Sequence, residues 1–184
     1  MTPADVVTLV QSTLDSRGVE WESTGPTSVV VTLPGTRKLK TLCNLIVGEH
    51  AMRVEAFVMR QPDENRLELW TYLLQRNARM YGVAFAVDTV GDVYLVGRVA
   101  LHAITPDEID RLLGSVLTYA DDSFDSMLEI GFGTAIRREW AWRVERGLPL
   151  DNLAAFAHFV AGPDQRSPDL ATETHGEGSS PPRA

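Results

Sequence analysis

Between Ala51 and Arg60, four apolar residues, Met52, Val54, Ala56 and Val58, alternate with the charged Arg53 and Glu55. Only an extended chain, whose side chains repeat every two residues, puts all four on one side and both charges on the other. The pattern predicts a half-buried antiparallel strand. Such a strand needs partners beside it and a cover over its apolar side.

The partners lie close in sequence. Leu39 to Val47 reads as the other arm of a hairpin that reverses at Gly48-Glu49-His50. Ser28 to Leu33 carries Val29, Val30 and Val31, and Pro34-Gly35 breaks it. Val19 to Ser23 is a short alternating run before the turn Gly25-Pro26-Thr27. A further hairpin, Val83 to Val87 and Val93 to Ala100, flanks Asp88-Thr89-Val90-Gly91-Asp92.

The cover comes from helices. Thr2, Pro3 and Asp5 form an N-terminal cap before Val6, Leu9, Val10 and Leu14, and Gly18 ends that helix. A second helix is predicted from Pro62 to Met80 with an apolar stripe of Leu67, Trp70, Leu74 and Ala78. A third starts at Thr105-Pro106-Asp107-Glu108, a capping box. Ile109, Leu112, Leu113, Val116, Leu117, Ala120, Phe124 and Leu128 follow at helical spacing. Gly131 and Gly133 are expected to kink or interrupt it before a further helical segment from Thr134 to Arg146. Gly147-Leu148-Pro149 ends that segment. Asp151 to Val160, with Leu153, Phe156 and Val160 on one face, is a candidate last helix. Helices and strands are grouped rather than alternating, and strand connections are short. The fold class is therefore α+β, an antiparallel sheet covered by helices in the order α-ββ(ββ)-α-ββ-α.

From Pro163 to Ala184 the chain has four prolines and no aromatic residue. Such a segment cannot bury enough apolar surface to offset the entropy of ordering, and it reads as a disordered tail after a single domain over residues 1–162. The net charge of the 184 residues is −8, which disfavours nucleic acid and anionic membrane as partners. The N-terminus lacks the basic start and apolar run of a signal peptide, and no apolar run approaches the ~20 residues of a membrane span. A cytoplasmic protein is expected.

Chemistry-bearing patterns are sparse. The lone Cys43 sits between Leu42 and Asn44 and reads as a small buried hydrophobe. His50, His102, His158 and His175 have no ligand spacing, so no metal and no cofactor are expected. Gly131-Phe132-Gly133 follows a helix and lacks the last glycine of a dinucleotide loop, and Pro34-Gly35-Thr36-Arg37-Lys38 lacks the spacing of a phosphate loop. Asp121, Asp125 and Glu129 form an acidic stripe at four-residue spacing, readable as a solvated helix face or a cation site. Arg138, Trp142 and Arg146 share a helix face apart from Ile136, Trp140 and Val144, which are assigned to burial. Arginine beside tryptophan allows cation–π contact, and both types are enriched at interface hot spots. These three are the candidate partner-binding residues. The bland alternative packs Trp142 under the last helix, against Phe156 and Val160.

The run Leu73-Leu74-Gln75-Arg76-Asn77-Ala78-Arg79-Met80-Tyr81-Gly82, then Val83 to Asp88, Gly91-Asp92-Val93-Tyr94-Leu95, Leu101 and Thr105-Pro106-Asp107-Glu108 resembles the YbjN family. The likeness spans about residues 2 to 130 and is strongest within 62–130. That family is described as bacterial sensory transduction regulators with a fold similar to type III secretion chaperones. Its matching positions here are core, turn and cap residues, with Asn77 the one polar member a helix would not choose. The resemblance implies a cytosolic bacterial domain that acts by binding, as a dimer, and it carries over no catalytic residue. The Arg/Trp helix and the tail lie outside it. The expected function is a non-enzymatic regulator or chaperone-like adaptor whose partner is a protein or a second copy of itself. The alternative is a small-molecule sensor with a pocket between the sheet and the third helix.

Overall fold

The computed structural model describes residues 1–151 and 156–160. The expected tail, 163–184, and Leu153 of the candidate last helix lie outside the described residues. The chain divides into two compact units, Met1–Thr134 and Ala135–Ala184. In chain order the elements are α1 (Pro3–Arg17), β1 (Trp21–Gly25), β2 (Ser28–Pro34), β3 (Lys40–Val47), β4 (Ala51–Met59), α2 (Arg66–Asn77), β5 (Ala84–Val87), β6 (Val93–Ala100), α3 (Pro106–Glu145) and α4 (Ala157–Val160).

All six strands form one antiparallel sheet, ordered β1-β2-β3-β4-β6-β5. The alternation in β4 is realised as expected: Met52, Val54, Ala56 and Val58 are buried, and Arg53 is exposed. Val29, Val31, Cys43, Leu45, Val93 and Leu95 point to the same dry side. The α3 stripe of Ile109, Leu112, Leu113, Val116, Ala120 and Met127 is buried with them, and so are Val6, Val10 and Leu14 of α1. These side chains fill the space between the sheet and α3. Burial pushes the Cys43 thiol up to about 12.

The termini of α1 follow the sequence closely. Thr2 N–H donates to Asp5 Oδ2 (2.8 Å) and Asp5 N–H to Thr2 Oγ1 (3.2 Å), a complete capping box. At the other end Gly18 adopts φ 65°, and Gly18 and Val19 N–H donate to the Asp15 and Leu14 carbonyls, a Schellman closure. That closure uses Val19. The first strand therefore begins at Trp21, two residues later than the alternation suggests.

Three expectations need correction. First, α2 starts at Arg66 rather than Pro62. The Asp63 and Glu64 N–H groups donate to the Gly131 carbonyl (3.0 and 3.1 Å), and Asn65, at φ 50°, donates through Nδ2 to the Ile130 carbonyl. Residues 62–65 form a strap on α3 and not a helix turn.

Second, the buried residues of α2 are Leu69 and Leu73, whereas Leu67 and Leu74 are 81% and 69% exposed. Ala78 is exposed too, and Trp70 is half-buried. The rotation is set by Asn77, whose amide pairs with β5: Phe85 N–H donates to Oδ1 (2.7 Å) and Nδ2 donates to the Phe85 carbonyl (3.1 Å). Leu69, Leu73 and Asn77, each one turn apart, must then face the sheet.

Third, α3 is one 40-residue helix that runs through Gly131 and Gly133. Gly131 serves close packing. A Cβ on Gly131 would stand 2.8 Å from Pro62 Cβ, a ring carbon that cannot swing away.

Two glycines of α3 should therefore respond with opposite signs. Gly114→Ala meets open space and should add up to ~1 kcal/mol through helix propensity. Gly131→Ala should cost ~1–3 kcal/mol through overpacking. Urea denaturation of both variants measures the two values. Separately, an aromatic disulfide reagent should leave Cys43 unmodified in the folded chain and titrate it fully in guanidinium.

Candidate protein-binding surface

The Arg/Trp residues sit on the C-terminal part of α3, within the unit that begins at Ala135. Trp142 is 41% exposed, and the Arg146 guanidinium lies over its indole, 4.9 Å from the ring centroid. This is cation–π distance. Arg138 is exposed one turn earlier on the same helix, but among the described residues it does not stack on the indole. The structure thus joins two of the three expected residues.

Their neighbours hold the helix end. Arg143 Nε donates to Glu139 Oε1 (2.7 Å) and its Nη1 to the Pro149 carbonyl (3.0 Å). Gly147, at φ 64°, and Leu148 donate to the Val144 and Arg143 carbonyls, so this terminus also closes as a Schellman motif. The face assigned to burial is only partly so. Ile136 and Trp140 are half-buried, while Val144 is 56% exposed because it sits in the last helical turn.

The acidic stripe has a definite role at Asp121. Its Oδ1 accepts three successive backbone N–H groups from the β2–β3 loop, Thr36 (2.9 Å), Arg37 (2.8 Å) and Lys38 (2.9 Å). The loop is a nest, a run of amides converging on one oxyanion. Gly35 makes the approach possible, since a Cβ there would stand 2.5 Å from the same oxygen. Arg37 adds an ion pair to Asp125 (3.7 Å) and a bond to the Asp122 carbonyl (3.3 Å). The sequence lacked phosphate-loop spacing here, yet the loop does cradle an anion, a carboxylate of its own chain. No local signal reports this, because the partners are over 80 residues apart. Among the described residues no cluster of three or more His, Cys, Asp or Glu could hold a metal ion.

Beside the loop, the Lys38 ammonium lies 5.8 Å from the Phe57 ring centroid and 5.4 Å from that of Phe124. Burial holds its pKa below the ordinary lysine value. At the start of α3, Thr105 Oγ1 accepts the Glu108 N–H (3.1 Å), as expected of an N-cap. The Glu108 carboxylate does not complete the box. It accepts from the Tyr81 hydroxyl (3.0 Å) and from Arg111 Nη1 (2.9 Å), with Arg111 also stacked over the Tyr81 ring. The bond to Tyr81, followed by nearby charges, raises the Arg111 pKa further.

Residues 7–129 match the YbjN family, described as "Putative bacterial sensory transduction regulator". The chain belongs to the YbjN family. It is 56% identical over 134 residues to an uncharacterized protein of Mycobacterium tuberculosis (strain ATCC 25618 / H37Rv), covering 73% of each chain. An uncharacterized protein of Mycobacterium leprae (strain TN) is 51% identical over 132 residues, or 72% of each. Among solved structures, a chain of the ExsC–ExsE complex superposes with TM-score 0.49 at 16% identity, covering 67% of this chain and 94% of that one. A chain of the Yersinia pestis type III secretion chaperone SycH with a fragment of YscM2 gives TM-score 0.44 at 14% identity, covering 62% and 96%. The YbjN match ends before the Arg/Trp segment. Among the described residues no helix is long and apolar enough to cross a membrane.

The nest predicts an asymmetry within the stripe. Asp121→Ala leaves three amides without their acceptor and should cost ~1–3 kcal/mol. Asp125→Ala removes a half-exposed ion pair to Arg37, which is worth less than ~1 kcal/mol, and should cost less than Asp121→Ala. Urea midpoints at constant slope distinguish the two.

Proposed function

We propose that this YbjN-family chain is a non-enzymatic, cytoplasmic regulator or chaperone-like adaptor. It works by binding protein, and it pairs with a second copy of itself. The observation that carries the reading is the exposed indole of Trp142 with Arg146 stacked on it. Tryptophan and arginine dominate interface hot spots. A stacked pair is already ordered, so less side-chain entropy is lost on association. The family's description as a regulator supports the same class of function.

Arg138, Trp142 and Arg146 are the proposed docking residues. Residues 137–146 carry four arginines against Glu139 and Glu145, which suits a partner segment bearing acidic side chains around an apolar anchor.

The full chain and its Trp142→Ala variant, used as paired baits in a lysate of the source bacterium, test this. The expected result is a protein enriched by the wild type and reduced on the order of tenfold or more with the variant. Equal recovery by both baits would move the docking site elsewhere. Recovery by neither would overturn the adaptor reading.

A further inference from the structure

The space between the sheet and α3, the place expected for a small-molecule pocket, is filled by side chains. A hollow of about 690 Å³ lies instead between the end of α2 and α3, within the unit Met1–Thr134. Small-ligand sites occupy about 300–1,000 Å³. Tyr72, Gln75 and Arg76 of α2, Arg79 and Met80 of the turn that follows, and Tyr119 of α3 line it. Its lining holds no carboxylate, although the whole chain carries −8.

Two of its polar groups are held in place. The Arg76 guanidinium lies over the Tyr72 ring, 5.5 Å from the centroid, and both side chains are half-buried. Among the described residues Arg76 makes no ion pair. The Tyr119 hydroxyl accepts the Tyr81 N–H (3.0 Å), which fixes the phenol beside the turn. Accepting that bond polarises the phenol as a donor, and among the described residues its O–H meets no acceptor. The main chain offers an anion nothing comparable. Arg79 and Met80 N–H already donate to the Arg76 and Asn77 carbonyls (3.0 and 3.3 Å), and a helix C-terminus is the negative pole. Glu108, the carboxylate bonded to Tyr81, is also held by Arg111. Recognition of an anion therefore falls to side chains, with Arg76 foremost.

We propose that this hollow binds a small molecule that joins a phosphate to a flat ring, a mononucleotide being the class with both parts. A half-buried guanidinium without a counter-ion attracts an anion and repels a cation. Donors come from three side chains, Arg76 and Gln75 of α2 and Tyr119 of α3. That number suits the oxygens of a phosphate better than those of a carboxylate. Tyr72, Tyr119 and Met80 supply aromatic and thioether surface against which a flat ring packs. The chain's negative charge opposes a polymeric nucleic acid far more than a single phosphate. The proposal is independent of the adaptor reading, whose docking residues belong to the other unit.

Equilibrium dialysis of the full chain against each of the four common nucleoside 5′-monophosphates tests it, with the matching nucleosides and inorganic phosphate as competitors. At least one nucleotide should saturate a single site below millimolar concentration, more weakly at high salt, and more tightly than its nucleoside or phosphate alone. Arg76→Gln should weaken binding on the order of tenfold or more, and Tyr119→Phe several-fold. Arg98→Gln removes the same charge from an exposed position on β6 and should leave binding unchanged. Circular dichroism melts check that each variant is folded. Failure of all four nucleotides to bind overturns the proposal. Binding that survives Arg76→Gln, or that falls equally with Arg98→Gln, overturns the site. Phosphate competing as well as the nucleotide overturns the flat ring, and a nucleoside competing as well overturns the phosphate.

Discussion

A sheet with a dry side must be roofed along its length, and here the roof is the apolar stripe of α3. Ile109, Leu112, Val116, Ala120 and Met127 are essentially fully buried on that side of the sheet. Burial is strong but not directional, so polar clamps fix where the helix lies. The Asp121 carboxylate holds the β2–β3 loop through three amides, and the 62–65 strap holds the Ile130–Gly131 turn through its carbonyls. Both clamps require glycine at the contact, Gly35 in one and Gly131 in the other.

Much of this was legible in the sequence, because the signals were local. The β4 alternation, the Thr2–Asp5 box, Gly18, Gly147 and the two hairpins each concern residues within a few positions of one another. The α2 stripe was not. Leu67, Trp70 and Leu74 satisfy helical spacing as well as Leu69 and Leu73 do, and periodicity cannot rank two apolar faces of one helix. What ranks them is Asn77 on Phe85, a contact across the Tyr81–Gly82 turn. Gly131 misled for a similar reason: low helix propensity is a weak prior, and its contact with the 62–65 strap overrode it.

Of the contacts expected on the Arg/Trp face, one was legible. Helical spacing placed Trp142 and Arg146 together, and their stacking follows from it. Arg138 meets the same spacing rule, yet it makes no such contact. The acidic stripe shows the opposite case. Read by itself it suggested a cation site or solvated charge, and neither describes Asp121, whose ligand is main chain. Sequence spacing finds residues that share a face, but it does not find what lies over that face.

The Asn77 amide has one more consequence. β5 is an outer strand of the sheet, and an unpaired outer strand is a template for another chain's backbone. With the outward N–H and C=O of Phe85 taken by Asn77, that template is blocked at its middle. Among the described residues the other outer strand is β1, where the pairing with β2 is already irregular between Ser23 and Gly25. Margin-to-margin joining of copies into a ribbon is therefore opposed at β5, because that strand offers its neighbour an edge stopped at Phe85.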